Sequence, residues 1–452
     1  MSGSLTIVGL GPGDPNLRTL GAQKALDDAE QIILRTAIHP GLDDLRGDPR
    51  TTACDDLYES RSSFEAVYEG IVERVLGAAR SRRVAFAVPG HPLYGERTVS
   101  LLLARAAGEQ IPTSVIAAVS ALDAISSALR LDPMSAQAQI LDAVSLDTWL
   151  RQEPFTGGLL DVAPTRPILV NQVFSREMAS SLKLALSRIF PEEHQVVVVT
   201  AAGVCGEERI VPCPLHELDH VPVDHLTSVW VPAMAALEAA RCAATLHRLA
   251  AILRSPEGCP WDREQSHESL RSAAIEEAHE VVDAIEERDP EHLAEELGDL
   301  LLQVALHAQI AEEAGAFTIE DVYEHVNRKL VRRHPHVFGD VSARTSEEVI
   351  LTWQGIKASE RRDKGEVQRG QDPLSEMPRS MPVLTRVARL LTARSPASVS
   401  SHPDDPGERL FDAVLELVAT GLDPERELER VARSRMTATG GPEPSLEEHE
   451  PT

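Results

Sequence analysis

Apolar positions divide the chain before any single residue does. Four short runs, LTIVG at 5–9, SRRVAFAVPG at 81–90, PILVNQV at 167–173 and QVVVVTAAG at 195–203, are apolar without alternation. Such runs predict strands buried on both faces. Between them, segments such as TLGAQKALDDAEQ (19–31) and ERTVSLLLARAAGEQ (96–110) carry apolar residues at helical spacing. Strands alternating with helices predict an α/β domain with a largely parallel sheet, placed at 1–235. From Ala236 onward the strand-like runs stop, and Leu297, Leu300, Leu301, Val304 and Ala308 mark one helix face. An all-helical domain is therefore expected at 236–365, with SPEGCPWD (255–262) as a loop between its first two helices. The remainder, 366–452, reads as a linker, a helical segment and a tail. SPASVSSHPDDPG (395–407) has linker composition, and TGGPEPSLEEHEPT (439–452) should be disordered. The segment 407–434 weakly echoes 298–329 in the same order, as a decayed internal repeat would.

Composition sharpens this picture. A chain of 452 residues needs more than one core. Its aromatic fraction is only 4%, so those cores must be built from Ala, Leu and Val. The formal net charge of −27 argues against a broad basic surface for nucleic acid. It leaves room for a small polyanion if metal ions neutralise the site. Five cysteines without a CxxC argue against a zinc site or a disulfide framework and fit a reducing, cytoplasmic setting. No run of about 18 apolar residues occurs, so no membrane span is expected. The opening MSGSLTIVGLGPGDP reads as a first strand rather than a leader.

The chemistry concentrates in Glu276-Glu277-Ala278-His279-Glu280, followed after residues 281–295 by Glu296-Leu297-Gly298-Asp299. On helices, Glu277 and Glu280 share one face, and so do Glu296 and Asp299. ERDPEH (287–292) supplies a turn, so an antiparallel pair would bring four carboxylates together. Their repulsion calls for a hard cation, Mg²⁺ or Mn²⁺. Two solvated acidic faces are the plainer reading of either pair alone. Gly298 inside a strong helix suggests close approach of a ligand or another helix.

The pattern EEAHE followed by ELGD resembles the EExxE…ExxD signature of the MazG nucleotide pyrophosphohydrolases, of the all-α NTP pyrophosphatase superfamily. The likeness runs from about Thr245 to Lys364, through CPWDREQSHESL (259–270), GDLLLQV, KLVRRHPHVFGD (329–340) and WQGIK (353–357). It implies hydrolysis of a nucleoside triphosphate to the monophosphate and pyrophosphate. Glu277, Glu280, Glu296 and Asp299 are then metal ligands, with Glu276 as a further ligand or the base for water. It further implies that Lys329, Arg332, Arg333 and Lys357 hold the triphosphate and that Trp353 lies near the nucleotide. Guanidinium groups suit phosphate oxygens geometrically. Trp261 and Asp262 shape the pocket mouth, or Trp261 anchors a core. The echo at 407–434 becomes a degenerate second MazG-like segment, keeping Glu408 opposite Asp299 but no EExxE, so no catalysis is expected of it. Domains of this kind typically pair, so a homodimer or higher oligomer is expected.

At the other end, Gly9-Leu10-Gly11-Pro12-Gly13-Asp14-Pro15 follows a strand but is neither a dinucleotide fingerprint nor a P-loop. A tight strand-to-helix turn is the plainer reading. With VPGHPLYGE (88–96) and AVSALDA (118–124), it resembles the three loops of the tetrapyrrole (corrin and porphyrin) methylases. Those loops imply an S-adenosylmethionine cleft between two α/β lobes, lined here by Gly11, Gly13, Pro89, Gly90, His91 and Ser120. His91 stands where the methylase loop usually carries Asp, a departure that bears on methyl transfer more than on cofactor binding. Methylase and MazG segments in one chain resemble the YabN-like fusion proteins. The competing assignments are a methyltransferase whose helical domain is structural, and a non-catalytic regulator or nucleotide-binding module. The intact EExxE…ExxD argues against both.

Overall fold

A computed structural model of the chain describes residues 3–61, 63–152, 161–363, 377–378, 380–393 and 405–438. They fall into two compact units, 1–319 and 320–452. The first unit opens with β1 (Ser4–Gly9), α1 (Leu20–Asp27), β2 (Gln31–Leu34), α2 (Asp43–Arg46) and β3 (Thr51–Ala53). It continues through α3 (Asp55–Ser60), α4 (Phe64–Ala79), β4 (Arg83–Val88), α5 (Arg97–Gly108) and β5 (Thr113–Ile116). The five strands form one parallel sheet in the order β3-β2-β4-β1-β5. Leu5, Ile7, Ile33, Val84, Phe86 and Val88 pack on one side against α4 and α5. Val8, Ile32, Leu34, Ala85 and Ala87 pack on the other against Ala22 and Leu26 of α1. Burial on both faces is why β1 and β4 read as continuous apolar runs, whereas the partly exposed β3 and β5 do not.

A second sheet follows, built with α6 (Ala121–Leu129), β6 (Gln139–Asp142), α7 (Ala143–Gln152), β7 (Ile168–Asn171), α8 (Arg176–Leu186), β8 (Gln195–Thr200), β9 (Arg209–Pro214) and β10 (Thr227–Val231). Its order is β6-β7-β10-β8-β9, with only β6 and β7 parallel. The expectation of a largely parallel sheet therefore holds for the first sheet and fails for the second. Residues 201–208 between β8 and β9 are too few for a parallel crossover, which takes roughly a dozen or more. The edge strand β9 escapes sequence reading because Pro212 and Pro214 interrupt it, and an edge strand is one of the few places in a sheet that tolerates proline.

After β10 the chain is helical: α9 (Ala243–Arg254), α10 (Pro260–Glu264), α11 (Ala273–Glu287) and α12 (Pro290–Glu313). Ala250, Leu270, Ala305 and Leu306 form the small core here, and Arg254 of α9 pairs with Glu313 at 2.8 Å. The buried face of α12 thus lies in its second half, where α9 covers it. Leu297, Leu301 and Val304, expected on the packed stripe, are exposed instead. Gly298 has no close neighbour either: a Cβ there would meet nothing within 4 Å among the described residues. No other helix approaches that glycine among the described residues.

The second unit carries α13 (Ile319–Arg333), α14 (Pro335–Phe338), α15 (Ser346–Asp363), α16 (Val383–Ala393), α17 (Pro406–Ala419) and α18 (Pro424–Ala438). The helical segment at 407–434 corresponds to α17 and α18, with Val414 buried. Asp405 caps α17 by accepting from the Gly407 N–H at 2.7 Å. Most of the expected linker and the whole tail from Thr439 lie outside the described residues. No helix among the described residues is long and apolar enough to cross a membrane.

Candidate active site

The acidic site is set by a two-residue turn. Arg288 ends α11 in the left-handed region at φ 59°, a conformation that costs a non-glycine residue roughly 1–2 kcal/mol. Asp289 then caps α12, accepting from Glu291 N–H at 3.0 Å and His292 N–H at 3.2 Å, and Pro290 takes the first helical position. The reversal lays Glu277 and Glu280 of α11 against Glu296 and Asp299 of α12.

One carboxylate oxygen from each of Glu277, Glu280 and Glu296 falls within 4.8 Å of the others. Burial pushes the Glu277 carboxyl above the usual carboxylate range, and the nearby Asp299 and Glu280 push it further. Glu276 is exposed on the same helix and is not one of the three converging groups. The donor set is all carboxylate oxygen, without nitrogen or sulfur, which fits a hard divalent cation such as Mg²⁺ or Mn²⁺. Two neighbours grip the cluster. Gln303, only 7% exposed, donates its amide to Glu277 at 3.4 Å, and its own Oε1 is buried without a partner among the described residues. His292 contacts Glu296 through Nε2 at 2.9 Å and Glu287 through Nδ1 at 3.1 Å. The bond to Glu287, reinforced by Glu296, holds the imidazole pKa above its ordinary value. Sequence reading passed over both residues, although Glu296 lies one helical turn from His292 and Gln303 one turn from Asp299.

Lys329, Arg332 and Arg333 lie on the last turns of α13, in the second unit. Arg332 and Arg333 share one partner, Glu360 of α15, each at 2.6 Å. Arg333 and then Arg332 hold the Glu360 carboxyl down at about 2. Trp353 is half-exposed on α15 and meets the His334 ring edge-on at 5.0 Å. Lys357 is exposed one turn further along. Back in the first unit, Trp261 is exposed and anchors no core, whereas Asp262 is buried.

The glycine loops stand at the carboxyl ends of the parallel strands, where open α/β sheets place their ligands. Gly11 and Gly90 both have positive φ and exchange backbone hydrogen bonds, Gly90 N–H donating to Gly11 at 2.8 Å and Gly11 N–H to Gly90 at 3.3 Å. A Cβ at Gly90 would meet nothing within 4 Å among the described residues, so the space beside Pro89 and Gly90 is open there. His91 accepts from Leu93 N–H at its Nδ1 and lies close enough to Asp123 to lower that carboxyl, after the larger effect of Ser120. Ser120 spends its polar atoms on the capping box of α6 with Asp123. Gly13 lies against Pro40 and Val204. Two groups here had no sequence signal: the Arg35–Glu96 ion pair at 3.0 Å, and His39.

His39 is buried, and desolvation pushes its pKa down to about 4 despite a bond with the Gly11 backbone. The folded chain therefore keeps it neutral where the unfolded chain, near 6.5, takes up a proton. Its contribution is complete above pH 6.5 and is lost as pH falls from there towards about 4. Urea unfolding at a series of pH values should show a shallower acid slope for His39→Gln than for the wild type. Identical slopes would mean that His39 titrates normally.

Residues 4–219 match the tetrapyrrole (corrin/porphyrin) methylases, and residues 265–338 match the MazG nucleotide pyrophosphohydrolase domain. The uncharacterized protein YabN of Bacillus subtilis is 39% identical over 393 residues, covering 86% of this chain and 77% of that one. The nucleoside triphosphate pyrophosphohydrolase/pyrophosphatase MazG of Thermotoga maritima is 45% identical over 179 residues, 39% of this chain and 66% of its own length. A nucleoside triphosphate pyrophosphohydrolase of Escherichia coli is 45% identical over 139 residues, 30% of this chain and 51% of its own. With both segments matched in order, and with YabN matched along most of both sequences, the chain belongs to the YabN-like family, in which a tetrapyrrole methylase domain precedes a MazG nucleotide pyrophosphohydrolase domain.

Proposed function

We propose that this chain hydrolyses nucleoside triphosphates to the monophosphate and pyrophosphate at the α11–α12 hairpin. The observation that carries the reading is the convergence of Glu277, Glu280 and Glu296 within 4.8 Å, inside the segment that matches MazG. These three and Asp299 would hold Mg²⁺ or Mn²⁺. When bound, the ion supplies charge neutralisation for the triphosphate and makes a nearby water more acidic. Glu276, exposed beside the cluster, accepts the proton of the attacking water. The water oxygen bonds to the α-phosphorus, the bond from that phosphorus to the bridging oxygen breaks, and pyrophosphate leaves with the electron pair. Lys329, Arg332, Arg333 and Lys357 are assigned to the phosphates and Trp353 to the nucleotide.

The N-terminal loops are assigned to S-adenosylmethionine, supported by the open space at Gly90 and the paired glycines. His91 in place of an acidic residue favours binding with little turnover on tetrapyrrole acceptors. The exposed Ile285, Leu297, Leu301 and Val304 along the hairpin favour pairing with a second copy of the chain. The free cysteines favour a cytoplasmic setting.

Incubation with a panel of ribo- and deoxyribonucleoside triphosphates in Mg²⁺, with separation of the products, tests the reaction. Equal amounts of monophosphate and intact pyrophosphate are expected. Orthophosphate with the nucleoside diphosphate would mean attack at the γ-phosphorus and a different site.

A further inference from the structure

We infer that His292 is a positioning residue for the acidic cluster: its imidazole fixes the Glu296 carboxylate so that an oxygen stays directed at the divalent cation. The inference rests on the reading of Glu277, Glu280, Glu296 and Asp299 as cation ligands. Glu296 is a long side chain facing two other carboxylates, and repulsion favours its turning away. His292, one turn earlier on α12, contacts it at 2.9 Å through Nε2. The ring is itself secured from the last turn of α11 by Glu287 at 3.1 Å. The series Glu287–His292–Glu296 therefore spans the hairpin and ends on a ligand.

His292 is not one of the converging groups, so it acts through Glu296. An independent sign that the cluster is a built site comes from its other end. There Gln303 is 7% exposed, reaches Glu277, and leaves its Oε1 buried without a partner among the described residues. Two of the three converging carboxylates, Glu277 and Glu296, are thus each gripped by a side chain that is not one of the converging groups. Loss of such outer partners typically weakens a metal site by roughly 10–100-fold.

Two conservative variants separate the two contacts of the ring. The Asn amide reaches where Nδ1 lies, so His292→Asn keeps a group for Glu287 and loses the one for Glu296. The Gln amide reaches where Nε2 lies, so His292→Gln keeps the group for Glu296. Binding of Mn²⁺ to the full chain, followed by electron paramagnetic resonance of the free ion, needs no substrate. His292→Asn should weaken Mn²⁺ binding by about 10-fold or more, and His292→Gln should stay within about threefold of wild type. Equal affinity of His292→Asn and wild type would overturn the inference. So would a His292→Gln as weak as His292→Asn, because the bond to Glu296 would then not be what matters. Glu280→Gln is the control for the reading beneath: if it binds Mn²⁺ as wild type does, the cluster is no cation site and the role of His292 falls with it.

Discussion

Glu280→Gln or Asp299→Asn should reduce triphosphate turnover by on the order of 10²–10³-fold or more at saturating Mg²⁺, with the fold retained. Each change removes a negative oxygen from a site whose chemistry depends on concentrating positive charge at the phosphates. Each also removes repulsion, because Glu277 sits beside both Asp299 and Glu280. Two unit charges 4 Å apart at an effective dielectric of about 20 repel by about 4 kcal/mol. Glu280 and Asp299 are exposed, so solvent reduces the relief to a fraction of that figure. In chelator the variants should melt at the wild-type temperature or slightly above it. Added Mg²⁺ should raise the melting temperature of the wild type alone, since only a folded state that binds the ion gains from it. Wild-type turnover in either variant would remove the metal assignment.

Gly41→Ala should destabilise the first unit by about 3 kcal/mol or more. Gly41 has φ +67°, and a Cβ there would lie 2.1 Å from the Gly13 carbonyl oxygen and 3.0 Å from Pro15 Cδ. The obstacle is backbone of the first glycine loop, so no side chain can swing aside. Gly90→Ala provides the comparison. Its φ is +64°, but a Cβ there meets nothing within 4 Å among the described residues, so the cost is the left-handed conformation alone, about 1 kcal/mol. Urea midpoints of the two variants should therefore differ clearly. Calorimetry should show S-adenosylmethionine binding lost in Gly41→Ala, whose first loop is displaced. Similar midpoints would mean that the corner at Gly41 relaxes at little cost.

How far the sequence could be read depended on whether an interaction leaves a local spacing. β1 and β4 of the first sheet are buried on both faces, so their apolar runs were visible, whereas β2, β3 and β5, of only 4, 3 and 4 residues, are too short to show one. β10, inserted antiparallel between β7 and β8, was not read although all five of its residues are buried, because TSVWV is short and opens on two polar residues. Glu277, Glu280 and Glu296 were legible because helical spacing and a turn-forming Pro290 bring α11 against α12; Asp299, expected with them, lies near enough to raise the Glu277 carboxyl but is not among the three that converge within 4.8 Å. Glu360 was not, since a contact from α15 back to Arg332 and Arg333 has no repeat to betray it. His292 belongs to the same class: its step to Glu296 is local, but Glu287 reaches it only once the hairpin closes. The stripe containing Leu297 and Leu301 misled for the opposite reason. Periodicity reports which face is apolar, not which face finds cover.

The interrupted edge strand β9 also affects how the molecule behaves in company. Pro212 and Pro214 are two residues apart, so the N–H groups they lack belong to the same side of the strand. The six-residue register with β8 is continuous, which puts that deficient side outward. A strand arriving from another molecule would find acceptors there but two missing donors, beside the exposed Ile210 and Val211 that would otherwise attract it. At this edge the two prolines discourage polymerisation through strand addition by covalent structure itself.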